Sequence, residues 1–92
     1  MDGGISWDPT KAAQNQRKHG VTFEEASSIF GDPLALTMYD TRHSVEEDRE
    51  LTIGWSDKGR MLTVSHTRRG LAIRIISARI ATNHERRNVE RR

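Results

Sequence analysis

The apolar positions of the chain change from a helical period to a period of two before its middle. Phe23, Ala26 and Phe30 recur at helical spacing, which predicts an amphipathic helix in the first third of the chain. From Leu34 onward apolar and polar side chains alternate, which is the pattern of half-buried strands. We therefore expect helices first and strands after them.

Local start and stop signals predict two helices near the N-terminus. Asp8 and Pro9 suit the N-cap and the first helical position. That helix is expected to end at Gly20, because glycine readily adopts the left-handed conformation of a C-terminal cap. Thr22–Glu25 has the sequence of a capping box and opens a second helix, which residues 31–33 (Gly-Asp-Pro) end.

The second half of the chain is predicted to form a sheet followed by one helix. The four predicted strands cover residues 34–39, 49–55, 61–67 and 71–78. Because the strands follow one another through mostly short links, they are expected to form an antiparallel meander. Thr82–Glu85 is a further capping box, which starts a C-terminal helix. Residues 1–6 are expected to be a loose start. The sequence thus predicts one α+β domain over residues 1–92, with a four-stranded antiparallel sheet.

Composition excludes several classes of site. The chain has no cysteine, so disulfides and thiolate metal sites are excluded. The four histidines fall in four separate predicted elements, so no metal site is expected. No motif indicates a nucleotide cofactor, and no cofactor is expected. The apolar runs are too short for a transmembrane helix, and we expect a cytoplasmic protein without a membrane partner.

Charge is distributed unevenly. Residues 1–46 hold four basic and seven acidic side chains, a net charge of −3, whereas residues 47–92 hold eleven and six, a net charge of +5. Ten of those eleven basic residues are arginine, whose planar guanidinium grips phosphate or carboxylate through two hydrogen bonds. A basic half is typical of nucleic-acid binding. An acidic protein partner would suit it equally well.

Arginine together with histidine and a few carboxylates is the only combination of potentially catalytic residues that recurs along the chain. This set suits RNA cleavage without a metal, in which a base and an acid move protons and cations stabilise the phosphate in the transition state. Several members also have structural alternatives. His66 shares a face with apolar strand positions and could be a core residue, and His19 could cap a helix. Arg49 and Arg74 could form ion pairs with Asp32 or Glu47.

Two long motifs resemble those of BrnT toxins, the ribonuclease half of the BrnT–BrnA type II toxin–antitoxin system. They are KHGVTFEEA at residues 18–26 and IRIISAR at residues 73–79, and the resemblance extends from Trp7 to Glu90. Shorter matches include Trp7–Pro9, Asn15 and His43 with Ser44. One position departs from the family pattern: Val89 stands where that pattern usually has tyrosine.

The resemblance implies a RelE-like fold and a metal-independent endoribonuclease that inhibits translation and growth. It also implies neutralisation by a BrnA-like antitoxin with a ribbon–helix–helix DNA-binding part. The implied complex is a heterotetramer that represses its own operon, so that operator DNA is contacted only through the antitoxin. A non-catalytic binding module that acts as a corepressor with a DNA-binding partner is the alternative.

The matching positions and the basic residues near them supply the candidate site. The candidate catalytic residues are Arg49, His66, Arg74 and Arg79. The candidate RNA-binding residues are Lys18, His19, Arg68, Arg69 and Arg86. Arg74 and Arg79 differ by five positions, so they can serve one site only if the strand that carries them departs from regular geometry.

Overall fold

A computed structural model describes residues 4–43 and 47–91 of the chain as an α+β fold built on a mixed sheet. In chain order the elements are β1 (Ile5–Trp7), α1 (Pro9–His19), α2 (Phe23–Ser28), a 3₁₀ turn (Ile29–Gly31), β2 (Leu36–Tyr39), β3 (Glu50–Trp55), β4 (Met61–Arg69), β5 (Ala72–Ile80) and α3 (Asn83–Glu90). The five strands lie in the order β1-β5-β4-β3-β2, in which β1 is parallel to β5 and the other pairs are antiparallel.

The first strand corrects the prediction of a four-stranded antiparallel sheet that only helices precede. Ile5–Trp7 pairs with Ile73–Ile75 in parallel, although residues 1–6 were expected to be a loose start; residues 1–3 lie outside the described part. Three residues carry no usable periodicity, and this strand forms because β5 offers a free edge far away in sequence. The meander of β2 to β5 is confirmed, whereas the RelE-like relationship stays a prediction.

The predicted helix signals act much as expected in α1 and partly in α2. Asp8 accepts a hydrogen bond from the Thr10 amide, and Gly20 ends α1 with a φ of 68°. Thr22 caps α2 by accepting from the Glu25 amide at 3.0 Å. The Glu25 carboxylate does not complete the capping box, because it bonds to distant residues instead.

Those distant residues belong to the turn between β3 and β4. The buried Glu25 carboxylate accepts hydrogen bonds from Ser56 Oγ at 2.7 Å and Arg60 Nε at 2.9 Å, and a second short contact joins it to the Arg60 guanidinium. The hydrogen bond from Arg60 lowers the pKa of Glu25. This ion pair joins α2 to the turn. Glu25, the second glutamate of KHGVTFEEA, therefore has a structural role.

Asn15 fastens α1 to the sheet beside the point where β1 ends. Its side-chain amide donates to the carbonyl of Ala78 at 2.9 Å and accepts from the Ala78 amide at 3.0 Å. It also donates to the carbonyl of Val21 at 3.0 Å. The buried amide thus satisfies backbone groups of β5 in the way that a neighbouring strand would.

The two faces of the sheet carry separate apolar clusters. Under α1 and α2 the buried cluster contains Val21, Phe23, Ala26, Ile29, Leu62, Val64, Ile75 and Ala78. On the other face α3 packs a smaller cluster of Ile53, Met61 and Val89. Val89, at the position where the family pattern usually has tyrosine, is therefore a core contact of α3. Because α3 is short, it leaves part of this second face open.

Candidate active site

A register shift in β5 brings the two strand arginines to one face of the sheet. Arg79 lies opposite Thr63 of β4, and Arg74 lies opposite Thr67. Because Thr63 and Thr67 are four positions apart in β4, both arginines face the same side, although five positions separate them in β5. The shift falls where Ser65 pairs with Ser77 but His66 pairs with Ile75, so that β5 holds one extra residue, Ile76.

On this face lies a cleft of ≈ 310 Å³, which we call the arginine cleft. Its floor is the row of paired residues Leu51, Ser65 and Ser77. Its walls are the start of α3 and the segment that follows β2. The remaining lining residues are Asp40, Arg42, His43, Arg49, Arg79 and Glu85. Among the described residues, the cleft therefore combines three arginines, a histidine and two carboxylates, the residue types that the sequence analysis associates with RNA cleavage.

Arg79 is held in the cleft by Glu85. The guanidinium donates to the two carboxylate oxygens of Glu85 at 2.7 and 3.0 Å. Burial raises the pKa of Glu85, but hydrogen bonds from Arg79, the Thr82 amide and Thr63 outweigh burial and lower the pKa to about 2. Arg79 is therefore permanently charged and held in one orientation. Its guanidinium also has N–H groups that do not bond to Glu85.

Arg49 lies on the same face, just before β3 begins. Its Nε is 3.7 Å from Glu47 Oε1, so the ion pair that the sequence allowed between these residues forms. Its backbone carbonyl accepts from the Asp40 amide at 2.8 Å, which fixes the segment after β2 against β3. Arg49 and Arg79 can therefore both place cationic groups at a ligand in the cleft.

His43 is a functional candidate that sequence reasoning missed. Its Nδ1–H donates to the buried Asp40 carboxylate at 2.9 Å, and its ring is 62% exposed. A carboxylate on Nδ1 fixes the tautomer, so that Nε2 is the nitrogen free to accept a proton. The signal available in the sequence was an Asp and a His three positions apart in a polar segment beside Arg49.

His66 lies on the opposite face of the sheet from the other three candidate catalytic residues. It is fully buried on the helix-covered face, where its Nε2 lies 2.7 Å from Thr52 Oγ1 and its ring packs edge-on against Phe30. Burial lowers its pKa to about 4, with smaller opposing effects of Glu50 and Arg68. In the described part of the chain, its Nδ1 has no hydrogen-bond partner and lies 3.9 Å from Glu50.

We expect His66 to make the stability of the fold depend on pH. The unfolded chain protonates this histidine near pH 6.5, whereas the folded chain does so only near pH 4. The unfolded state therefore binds more protons between these values, and the free energy of unfolding falls as pH falls, by about 3 kcal/mol from this group. Urea unfolding at several pH values should show that loss in the parent protein and not in His66→Gln. Equal pH dependence of the two proteins would contradict it.

The other predicted residues are spread over several surfaces. Arg69 and Arg74 line an adjoining cleft on the same face as the arginine cleft. Lys18 and His19 line a shallow cleft of ≈ 240 Å³, which shares Ser77 with the arginine cleft. Two RNA-binding candidates lie elsewhere. Arg68 bonds to Glu50 at 3.0 Å, and Arg86 lies over the ring of Trp55 at 4.9 Å.

Within residues 4–43 and 47–91, no group of three or more His, Asp or Glu side chains is arranged to hold a metal ion. In the same ranges, every helix is too short or too polar to cross a membrane.

The chain is similar to known proteins in sequence and in fold. A family model described as "Ribonuclease toxin, BrnT, of type II toxin-antitoxin system" matches residues 7–85. The fold is similar to the crystal structure of the Brucella abortus ribonuclease toxin BrnT, with 26% sequence identity and a TM-score of 0.65; the alignment covers 86% of this chain and 96% of that chain. No curated protein sequence matches the chain. Because the family model spans most of its length, the chain belongs to the BrnT family of ribonuclease toxins of type II toxin–antitoxin systems.

Proposed function

We propose that this protein is an endoribonuclease that cleaves RNA in the arginine cleft without a metal ion. The observation that carries the proposal is the convergence of Arg49, Arg79 and the Asp40-bound His43 on one open face. Arginine stabilises negative charge on phosphate, and a carboxylate-oriented imidazole moves protons.

Each group has a role in that reaction. His43 Nε2 takes the proton of a ribose 2′-hydroxyl, whose oxygen then attacks the adjacent phosphorus. The bond from phosphorus to the 5′ oxygen breaks, and that oxygen takes a proton from solvent water, which leaves a 2′,3′-cyclic phosphate and a 5′-hydroxyl. Arg49 and Arg79 hold the phosphate oxygens, on which negative charge increases in the transition state. Glu85 positions Arg79 and does not itself contact the substrate.

Cleavage is expected to continue in the presence of EDTA. The guanidinium groups supply the positive charge that a metal ion supplies in other nucleases. The test is incubation of the purified protein with a single-stranded RNA, with and without EDTA, and analysis of the products on a gel. Loss of cleavage with chelator and its return with a divalent ion would contradict the metal-free reaction.

The control for that experiment is the Arg79→Gln variant, purified in the same way, because it reports contaminating nucleases. Absence of cleavage by the folded parent protein under every condition would instead support the alternative function, a non-catalytic corepressor that acts with a DNA-binding partner.

The family supports an antitoxin partner, and we propose that it is a BrnA-like protein with a ribbon–helix–helix part. The proposed complex is a cytoplasmic heterotetramer that blocks cleavage and contacts operator DNA only through the antitoxin. Through this complex the toxin regulates its own transcription, and the free toxin inhibits translation and growth. Light scattering of the co-expressed pair tests the stoichiometry, and a toxin that stays monomeric beside that protein would contradict it.

A further inference from the structure

A second cleft lies farther along the face that carries the arginine cleft. It has a volume of ≈ 420 Å³, and its polar lining residues are Ser6, Glu47, Thr67, Arg69 and Arg74. Glu47 lies in the segment before β3, and the others lie at the end of β4, the start of β5 and the neighbouring β1. We call it the strand-end cleft.

The side chains of Arg69 and Arg74 differ from those of five other arginines of the fold. Arg49, Arg60, Arg68, Arg79 and Arg86 each have a carboxylate within 4 Å. In residues 4–43 and 47–91, the side chains of Arg69 and Arg74 make no hydrogen bond or ion pair, and both residues are exposed. Two unpaired cations on one cleft repel each other, and a bound anion would relieve that repulsion.

The two clefts form one path along the sheet. Thr67, opposite Arg74, is four positions from Thr63, opposite Arg79, which places the two backbone positions roughly 13 Å apart. Between them lies the Glu47–Arg49 ion pair, of which Glu47 lines the strand-end cleft and Arg49 lines the arginine cleft. An extended ligand in one cleft can therefore continue into the other.

We propose that the strand-end cleft binds the backbone phosphates of the same RNA strand, several nucleotides from the phosphate that is cleaved. The proposal rests on the proposed function of the arginine cleft and extends it to the length of the substrate. Arg69 and Arg74 bind phosphate oxygens with their planar forks, and the hydroxyls of Ser6 and Thr67 are available to sugar or phosphate oxygens. The contacts involve the backbone, so this subsite binds without reading base sequence.

The bulge in β5 is what creates this substrate path. Without the extra residue Ile76, Arg74 would face the helices and could not share a strand of RNA with Arg79. Arg74 therefore positions the substrate at a distance from the bond that is cleaved. The sequence alone predicted it to be a catalytic residue.

Binding of uncleavable oligonucleotides tests the subsite. The probes are a 2′-O-methyl dinucleotide, which fills the arginine cleft alone, and a 2′-O-methyl octanucleotide, which reaches both clefts. In the parent protein the octanucleotide is expected to bind more tightly. In Arg69→Gln/Arg74→Gln that advantage should fall at least about tenfold, as expected for lost charge-assisted hydrogen bonds. The slope of log Kd against log salt should fall by about 0.7 for each lost phosphate contact.

Arg17→Gln is the matched control, because it removes an exposed arginine of α1 that lines none of these clefts. Arg74→Lys is a second variant, which keeps the charge and removes the fork. Its preference for the octanucleotide is expected to fall by less than that of the double variant. This variant tests the subsite even if the double variant folds poorly. An equal preference for the octanucleotide in parent and double variant would overturn the subsite.

The outcome separates this inference from the proposed function. A parent protein that binds the octanucleotide through Arg69 and Arg74 but never cleaves RNA would leave the subsite standing and contradict the proposed reaction. Variants that lose affinity for the antitoxin, with RNA binding unchanged, would assign the cleft to a protein partner and overturn the RNA subsite.

Discussion

Replacing Arg79 by glutamine is expected to lower the rate of RNA cleavage by about 10²- to 10³-fold, the usual effect of losing a transition-state charge donor. Arg79 is fixed by its paired hydrogen bonds to Glu85 and lies in the arginine cleft. Glutamine keeps a polar side chain, although a shorter one, and removes the charge and the fork. The measurement is kcat with a single-stranded RNA, at a temperature where circular dichroism shows the variant folded.

Glu85→Gln is the matched control for this prediction. It removes the carboxylate that holds Arg79 but leaves an amide oxygen that can still serve the capping box of α3. We expect a smaller loss of cleavage and a clear loss of stability, since Thr63, Arg79 and the Thr82 amide all donate to that carboxylate. A folded Arg79→Gln that cleaves at the parent rate would exclude Arg79 from the reaction.

Replacing His43 by glutamine is expected to lower cleavage by about 10²- to 10⁴-fold, the range for a lost general base or acid. The Asp40 carboxylate bonds to Nδ1, and His43 lines the arginine cleft together with Arg49 and Arg79. Because the ring is exposed, the substitution should leave the melting temperature nearly unchanged. The measurement is kcat with a single-stranded RNA, at a temperature where circular dichroism shows the variant folded.

Two further variants make the assignment of His43 decisive. Asp40→Asn should lower cleavage as well, because an amide no longer fixes the tautomer that leaves Nε2 free. His66→Gln should keep cleavage and lose stability, because His66 is buried against Phe30 and bonds to Thr52 on the opposite face. If His66→Gln abolished cleavage in a folded protein while His43→Gln did not, the roles would be reversed.

The structure also shows why the resemblance identified the family more easily than the site. In the KHGVTFEEA motif, Gly20 ends α1, Thr22 caps α2 and Glu25 holds the turn through Arg60. Asn15 satisfies the backbone of β5 at Ala78. These residues maintain the fold, and their identity says little about which side chains reach RNA.

Elements with local causes were determined by the sequence alone. The N-cap Asp8, the Gly20 terminus and the capping box of Thr82 with Glu85 depend on contacts within one turn of helix, so short motifs predicted them. The alternation of β3 and β4 likewise predicted strands and their antiparallel order.

Only the tertiary structure decided the features that join distant segments. The parallel strand Ile5–Trp7 needs the free edge of β5, and the extra residue Ile76 becomes visible only when β5 is aligned with β4. That single-residue shift reverses which face a side chain occupies, because side chains alternate along a strand. Residue spacing within one strand therefore predicted Arg74 and Arg79 on opposite faces, whereas pairing with the neighbouring strand placed them together and left His66 in the core.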